Sequence, residues 1–118
     1  DAHAEDVIEG LKIAGFENHK FDVVKVSHHG SERNTSTKLL ELIGKSEYIL
    51  CANNETNHNH PNNVTLARIL SLDGNPAIHL SSNSSKLLAK IEECKNLNFD
   101  INETSPTDGV NTIYYEYK

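Results

Sequence analysis

Two short stretches hold the side chains able to bind a cation or move a proton: Ser27-His28-His29-Gly30-Ser31 and His58-Asn59-His60-Pro61. Neutral imidazole is the commonest side-chain ligand for zinc-like ions and also titrates near neutral pH. Neighbouring side chains at a strand end point in opposite directions, so at most one of His28 and His29 enters a given site. Gly30 lets the backbone turn sharply and approach a ligand closely. Pro61 restricts His60 to an extended conformation and helps to start the helix that follows. Each loop alone has an ordinary explanation, a polar surface turn in one case and a helix start in the other. The pair is more informative. If two successive parallel strands are joined by a helix, the loops that leave them open on one edge of the sheet. The remaining histidines carry less: His19 lies in a polar connection, His79 sits inside an apolar run where a hydrogen-bonded packing role is expected, and His3 stands beside Asp1 in a polar stretch.

The elements around these loops alternate. Val7, Ile8, Leu11 and Ala14 sit at helical spacing over 4–14, with Gly15 as the stop. FDVVKV at 21–26 is short and β-branched and reads as a strand. Ser36 is placed to cap a helix carrying Leu39, Leu40, Leu42 and Ile43 and ending at Gly44. YILCA at 48–52 is a continuous apolar run, as in a strand covered on both faces. A helix over 63–72, a strand over Ala77–Leu80 and a helix capped by Ser84 or Ser85 follow. Asp108-Gly109 marks a turn, and IYYEY at 113–117 reads as a final edge strand. The sum is one α/β layer structure spanning 1–118.

Composition sets outer bounds. At 36% hydrophobic and 24% charged residues, the 118-residue chain has the make-up of a single globular unit. The net charge of −6, with 11 Lys and Arg scattered along the chain, argues against a nonspecific polyanion-binding surface. No apolar run reaches the length of a membrane span, so no membrane contact is expected. Cys51 and Cys94 lie far apart in separate apolar segments and read as buried thiols, which fits a reducing, cytoplasmic setting. Position 1 is not Met and the first helix begins at once, from which a processed, truncated or excised segment is expected.

Order and spacing together resemble a known family. FDVVKVSHHGSERNTSTKLLELI is similar to the strand, His-His-Gly-Ser, spacer and helix of metallo-β-lactamase-superfamily hydrolases. The closest branch is the hydrolase domain of competence-type DNA-uptake proteins and their stand-alone relatives. His60-Pro61-Asn62-Asn63-Val64-Thr65-Leu66 looks like that branch's His-Pro and following helix, and Thr107-Asp108-Gly109 like its turn before the last strand. Asp1-Ala2-His3-Ala4-Glu5 resembles its Gly-Asp point with the Gly removed.

The resemblance implies the C-terminal half of an αββα sandwich and a two-metal centre, with Zn expected and Mn or Fe also compatible. By resemblance, Asp1 is the carboxylate that bridges the metals, His28 or His29 is a terminal ligand, and His60 lines the substrate site. Ser31 either caps the next helix, the favoured option, or bonds a phosphate oxygen. The implied reaction is hydrolysis of phosphodiesters or related esters by metal-activated water. The chain departs from the family in lacking the His-x-His-x-Asp-His motif and a later upstream His, which supply most of the ligands. Residues 82–105 also look like an insertion, read as a solvated elaboration. Two outcomes are therefore weighed. One is an enzyme half, inactive in isolation and completed by an N-terminal partner half. The other is a noncatalytic remnant or interaction module that hides its apolar sheet face by self-association.

Overall fold

The computed structural model describes residues 1–99, 101–107 and 111–114. Among the described residues, four α-helices and four strands alternate: α1 (Ala4–Ile13), β1 (Val23–Lys25), α2 (Thr37–Ile43), β2 (Glu47–Leu50), α3 (Asn63–Leu70), β3 (Ala77–Leu80), α4 (Ser85–Asn96) and β4 (Asn102–Thr104). The strands form one parallel sheet in the order β1-β2-β3-β4. All four carboxyl ends therefore share one edge, the edge from which both His-bearing loops depart.

Local signals set most boundaries. The Ser36 hydroxyl accepts from the Leu39 N–H at 3.1 Å and caps α2, which stops at Gly44. Ser84 caps α4 in the same way, accepting from the Leu87 N–H at 3.3 Å. Gly15, at φ 76°, follows the last turn of α1, where a left-handed residue ends a helix without steric cost.

Period-two alternation sorts the strand side chains onto two faces. Val24, Tyr48 and Ile78 align across β1, β2 and β3, and Leu50 aligns with Leu80. This row packs with Leu40 of α2, Leu66 and Ile69 of α3, and Leu87 and Ile91 of α4, so these three helices cover the same face. Helix α1 packs Ala4 and Ile8 against Leu39, on the outer side of α2.

The opposite face differs from expectation. A continuous apolar surface is predicted there, yet its rows read Val23-Glu47-Ala77-Asn102 and Lys25-Ile49-His79-Thr104. Charged and apolar residues are mixed, and His79 is 7% exposed with both ring nitrogens engaged. Its Nε2 lies 2.7 Å from Glu47 Oε2 and its Nδ1 2.7 Å from Thr104 Oγ1. The hydrogen-bonded role expected for His79 is what the strand gives it. Larger exposed apolar side chains sit elsewhere, at Ile13 and Phe16 near the end of α1.

Residues 82–105 are not a solvated appendage. They include α4, whose Leu87 and Ile91 are fully buried, and β4, which extends the sheet beside β3. The helical spacing of Leu87, Leu88 and Ile91 carried that packing, and the acidic and lysine-rich outer face of α4 obscured it. The expected Asp108-Gly109 turn lies outside the described residues. So does most of the expected 113–117 strand, and Ile113 and Tyr114 themselves have no regular structure. Cys51 and Cys94 are free and half-buried, less enclosed than expected. Among the described residues, no helix is long and apolar enough to cross a membrane.

Tyr48 gives this core a pH limit. Its ring is buried, its hydroxyl donates to Gly44 O at 2.8 Å, and burial pushes its pKa from 10.0 up to about 12. A phenol whose folded value exceeds its unfolded value stabilises the fold below pH 10, and that contribution is lost as pH rises toward 12. Circular dichroism is expected to show alkaline unfolding in this window, with a shallower pH dependence in Tyr48→Phe. Identical alkaline profiles for the two proteins would exclude Tyr48 as the cause.

Candidate metal and substrate site

The first loop continues β1 for one residue, where the Val26 N–H donates to Ile49 O at 2.9 Å. His28, His29 and Gly30 then take left-handed backbone conformations at φ 46°, 55° and 85°. For a non-glycine residue that region costs on the order of 1 kcal/mol or more, and such positions cluster at functional sites.

What holds the turn is the second loop. A Cβ on Gly30 would stand 2.7 Å from Pro61 Cβ, so only glycine permits this approach. The Asn62 N–H donates to Gly30 O at 3.0 Å, and Asn62 Oδ1 accepts from the Glu32 N–H at 2.9 Å. Arg68 of α3 donates from Nη1 to Glu32 O and Thr35 O, both at 2.8 Å. From α4, Lys90 Nζ donates to Asn59 O at 3.1 Å and Pro61 O at 2.7 Å. The two loops are bonded to each other and tied to two helices.

Four histidines meet on this unit. The His28 ring centroid lies 5.3 Å from that of His60 and 6.5 Å from that of His29, and His58 stacks on His60 at 5.8 Å. They line an open pocket of about 620 Å³, shared with Cys51 and with Ser81 beyond β3. The side-chain partners define the tautomers. Asn34 Nδ2 donates to Ala2 O at 2.7 Å and to Asp1 O at 3.3 Å, which turns Asn34 Oδ1 toward His28 Nδ1 at 3.0 Å. An amide oxygen only accepts, so His28 Nδ1 carries the proton and Nε2 keeps its lone pair. His29 Nδ1 likewise donates to Cys51 O at 2.6 Å, leaving its Nε2 as an acceptor. Both rings therefore present the form that binds metal.

The structure brings His28, His29 and His60 to one place and draws the start of the chain alongside them. It is the Asp1 carbonyl that is bonded there, through Asn34, and the Asp1 residue is exposed. Among the described residues, no group of three or more His, Cys, Asp and Glu side chains is set to hold a metal ion. The favoured capping role of Ser31 falls to Ser36 instead, since Ser36 is the residue immediately before α2. Sequence reasoning placed His58 in the second loop but assigned it no role of its own, although its His-x-His spacing with His60 is a readable signal. Asn34 and Lys90 carry no such signal, because their roles come from chain segments brought together by folding.

The electrostatics follow from this crowding. Burial lowers the His60 pKa from its ordinary 6.5, and the electrostatic influence of His28, His58, His29 and Lys90 adds to the effect. The Lys90 ammonium is also lowered, chiefly by burial, with Glu93 opposing.

No protein-family model, curated protein or solved structure matches this chain.

Two outcomes test the site's construction. Gly30→Ala is expected to lower stability by about 1–3 kcal/mol, from the left-handed backbone and the contact with Pro61 together. Unchanged thermal unfolding would contradict that contact. In chelator-treated protein, the His60 ring protons are expected to titrate with a midpoint below 6.5, and His58→Ala should move that midpoint upward. A midpoint at or above 6.5 would rule out the crowded arrangement.

Proposed function

We propose that this chain is the C-terminal half of a metallo-β-lactamase-type hydrolase that acts on phosphodiesters or related esters. The observation that carries the reading is the convergence of His28, His29 and His60 with the backbone of Asp1 at the carboxyl edge of one parallel sheet. Strand carboxyl ends are where α/β sheets build their sites. The donor set suits a divalent ion, because both imidazoles are oriented through Nδ1 and leave Nε2 to bind.

In this reading His28 is the ligand of the pair, since its ring faces both His60 and the Asn34 link to Asp1, while His29 turns toward Cys51. Asp1 would supply a carboxylate ligand to the metal pair. A pair of divalent ions, when bound, supplies Lewis acidity and a water acidic enough to ionise near neutral pH. Asn34 fixes the His28 tautomer. His60, whose pKa is lowered chiefly by burial, would offer an N–H to a phosphate or leaving-group oxygen. Fixing a zinc-like ion takes three or four protein ligands, so the remaining ligands belong to the other half of the fold. That half would also cover the outer face of the sheet, since parallel sheets are ordinarily buried on both faces.

A second reading, a noncatalytic interaction module, draws on the same outer face and on the short ligand set among the described residues. Activity separates the two. The 118 residues alone are expected to be inactive toward bis(p-nitrophenyl) phosphate. Joined to a half-domain that carries the His-x-His-x-Asp-His motif, encoded upstream of Asp1 in this reading, they should hydrolyse it with a rate abolished by chelation. Asn34→Ala should weaken metal binding roughly 10- to 100-fold, and Asp1→Ala and His28→Ala should cost more. A robust metal-dependent rate from the 118 residues alone would overturn the ligand count. A joined enzyme indifferent to Asp1 and to both His28 and His29 would overturn the family.

A further inference from the structure

A second pocket, of about 360 Å³, opens beside the histidine cluster, and its walls include Ser31, Arg33, His58 and His60. Ser31 is only 6% exposed as a residue, and its hydroxyl, which makes no hydrogen bond among the described residues, keeps contact with solvent in this pocket. Arg33 is exposed and has no ion pair or hydrogen bond among the described residues, so its guanidinium is open to a ligand, while its neighbours Glu32 and Asn34 are both engaged. Glu32 is the acidic residue on the same wall; it is exposed, and its main-chain N–H and carbonyl are held by Asn62 and Arg68. In a chain of net charge −6, an uncommitted guanidinium, a free hydroxyl and two imidazoles on one wall form an island of donors.

We propose that this pocket binds a phosphate group carried by the substrate, with Arg33, Ser31 and His58 as its donors. Arginine presents a planar fork of N–H groups matched to phosphate oxygens. A tetrahedral oxyanion with three or four oxygens engages the fork, the hydroxyl and the imidazoles together, whereas a carboxylate has only two oxygens to share among them. His58 stacks on His60, so a phosphate held here lies directly beside the face on which His28 and His60 meet. Arg33 and His58 thereby select anionic substrates and fix which phosphate faces the reacting centre. The inference rests on the hydrolase reading only in assigning the phosphate to a substrate.

The test uses the 118-residue protein freed of metal with a chelator, so that it does not depend on a loaded centre. Titration with inorganic phosphate, followed by NMR, is expected to shift the Ser31 and Arg33 amides and the His58 ring. Phenyl phosphate should shift the same signals, and acetate at equal concentration should not. Arg33→Gln should weaken phosphate binding roughly tenfold or more, the loss of a charge-assisted pair, with Arg33→Lys in between and Ser31→Ala also weaker. Well-dispersed spectra from each variant show that it is folded. Absence of phosphate-dependent shifts, or binding unchanged in Arg33→Gln, overturns the pocket. Equal shifts with acetate overturn the phosphate assignment, and binding of inorganic phosphate without phenyl phosphate overturns a substrate-borne group. None of these outcomes alters whether the joined enzyme is metal-dependent, so failure of the pocket and failure of the hydrolase reading are told apart.

Discussion

The contact between Gly30 and Pro61 governs the rest of the site. It joins two loops that leave different strands, at a distance that no side chain on residue 30 would allow. With that approach made, the Asn62 N–H reaches Gly30 O, Asn62 Oδ1 reaches the Glu32 N–H, and the left-handed run of His28, His29 and Gly30 is held from outside. A strained turn persists when its surroundings over-determine it, and here two loops and a pair of helix side chains, Arg68 and Lys90, do so. The position of every imidazole in the cluster follows from that arrangement.

The charge distribution rests on the same framework. The chain is acidic as a whole, but its carboxyl sheet edge gathers four histidines with Lys90 and Arg33 close by. Burial first, and this crowding second, lower the pKa of His60. Tautomers are set by acceptors beyond the cluster, the Asn34 amide and the Cys51 carbonyl, which engage Nδ1 of each ring and leave Nε2 without a partner in the cluster. Cations or anions brought to this edge would relieve different parts of the same crowding, metal through the Nε2 lone pairs and phosphate through the free donors.

Far from the site, the sheet shows how the chain tolerates a half-covered architecture. Its inner face is apolar and close-packed against α2, α3 and α4. Its outer face places the buried His79 between Glu47 and Thr104, tying β2, β3 and β4 together with polar bonds. A purely apolar row at these positions would favour burial against a second layer still more strongly. The mixed row makes the face compatible with water while leaving Val23, Ile49 and Ala77 available for contact.

By itself, the sequence determined the alternation of helices and strands, the parallel α/β class and the two histidine loops at one edge. These follow from local rules: Ser36 and Gly44 bracket α2, Leu39 and Leu40 define its buried face, and a helix between two strands makes them parallel. Period-two spacing places His79 and Glu47 on one face of the sheet, but whether that face is apolar or polar depends on how neighbouring strands register. Tertiary structure alone decided that 82–105 belongs to the core, because Leu87 and Ile91 acquire meaning only against Tyr48, Ile78 and Leu80. It alone tied Asn34, the partner of His28, to Ala2 across 32 residues of sequence, and gave Lys90 its grip on the His60 loop across 29. Spacing along a chain encodes periodicity within an element; which distant polar atoms become neighbours is fixed by the packing of elements against one another.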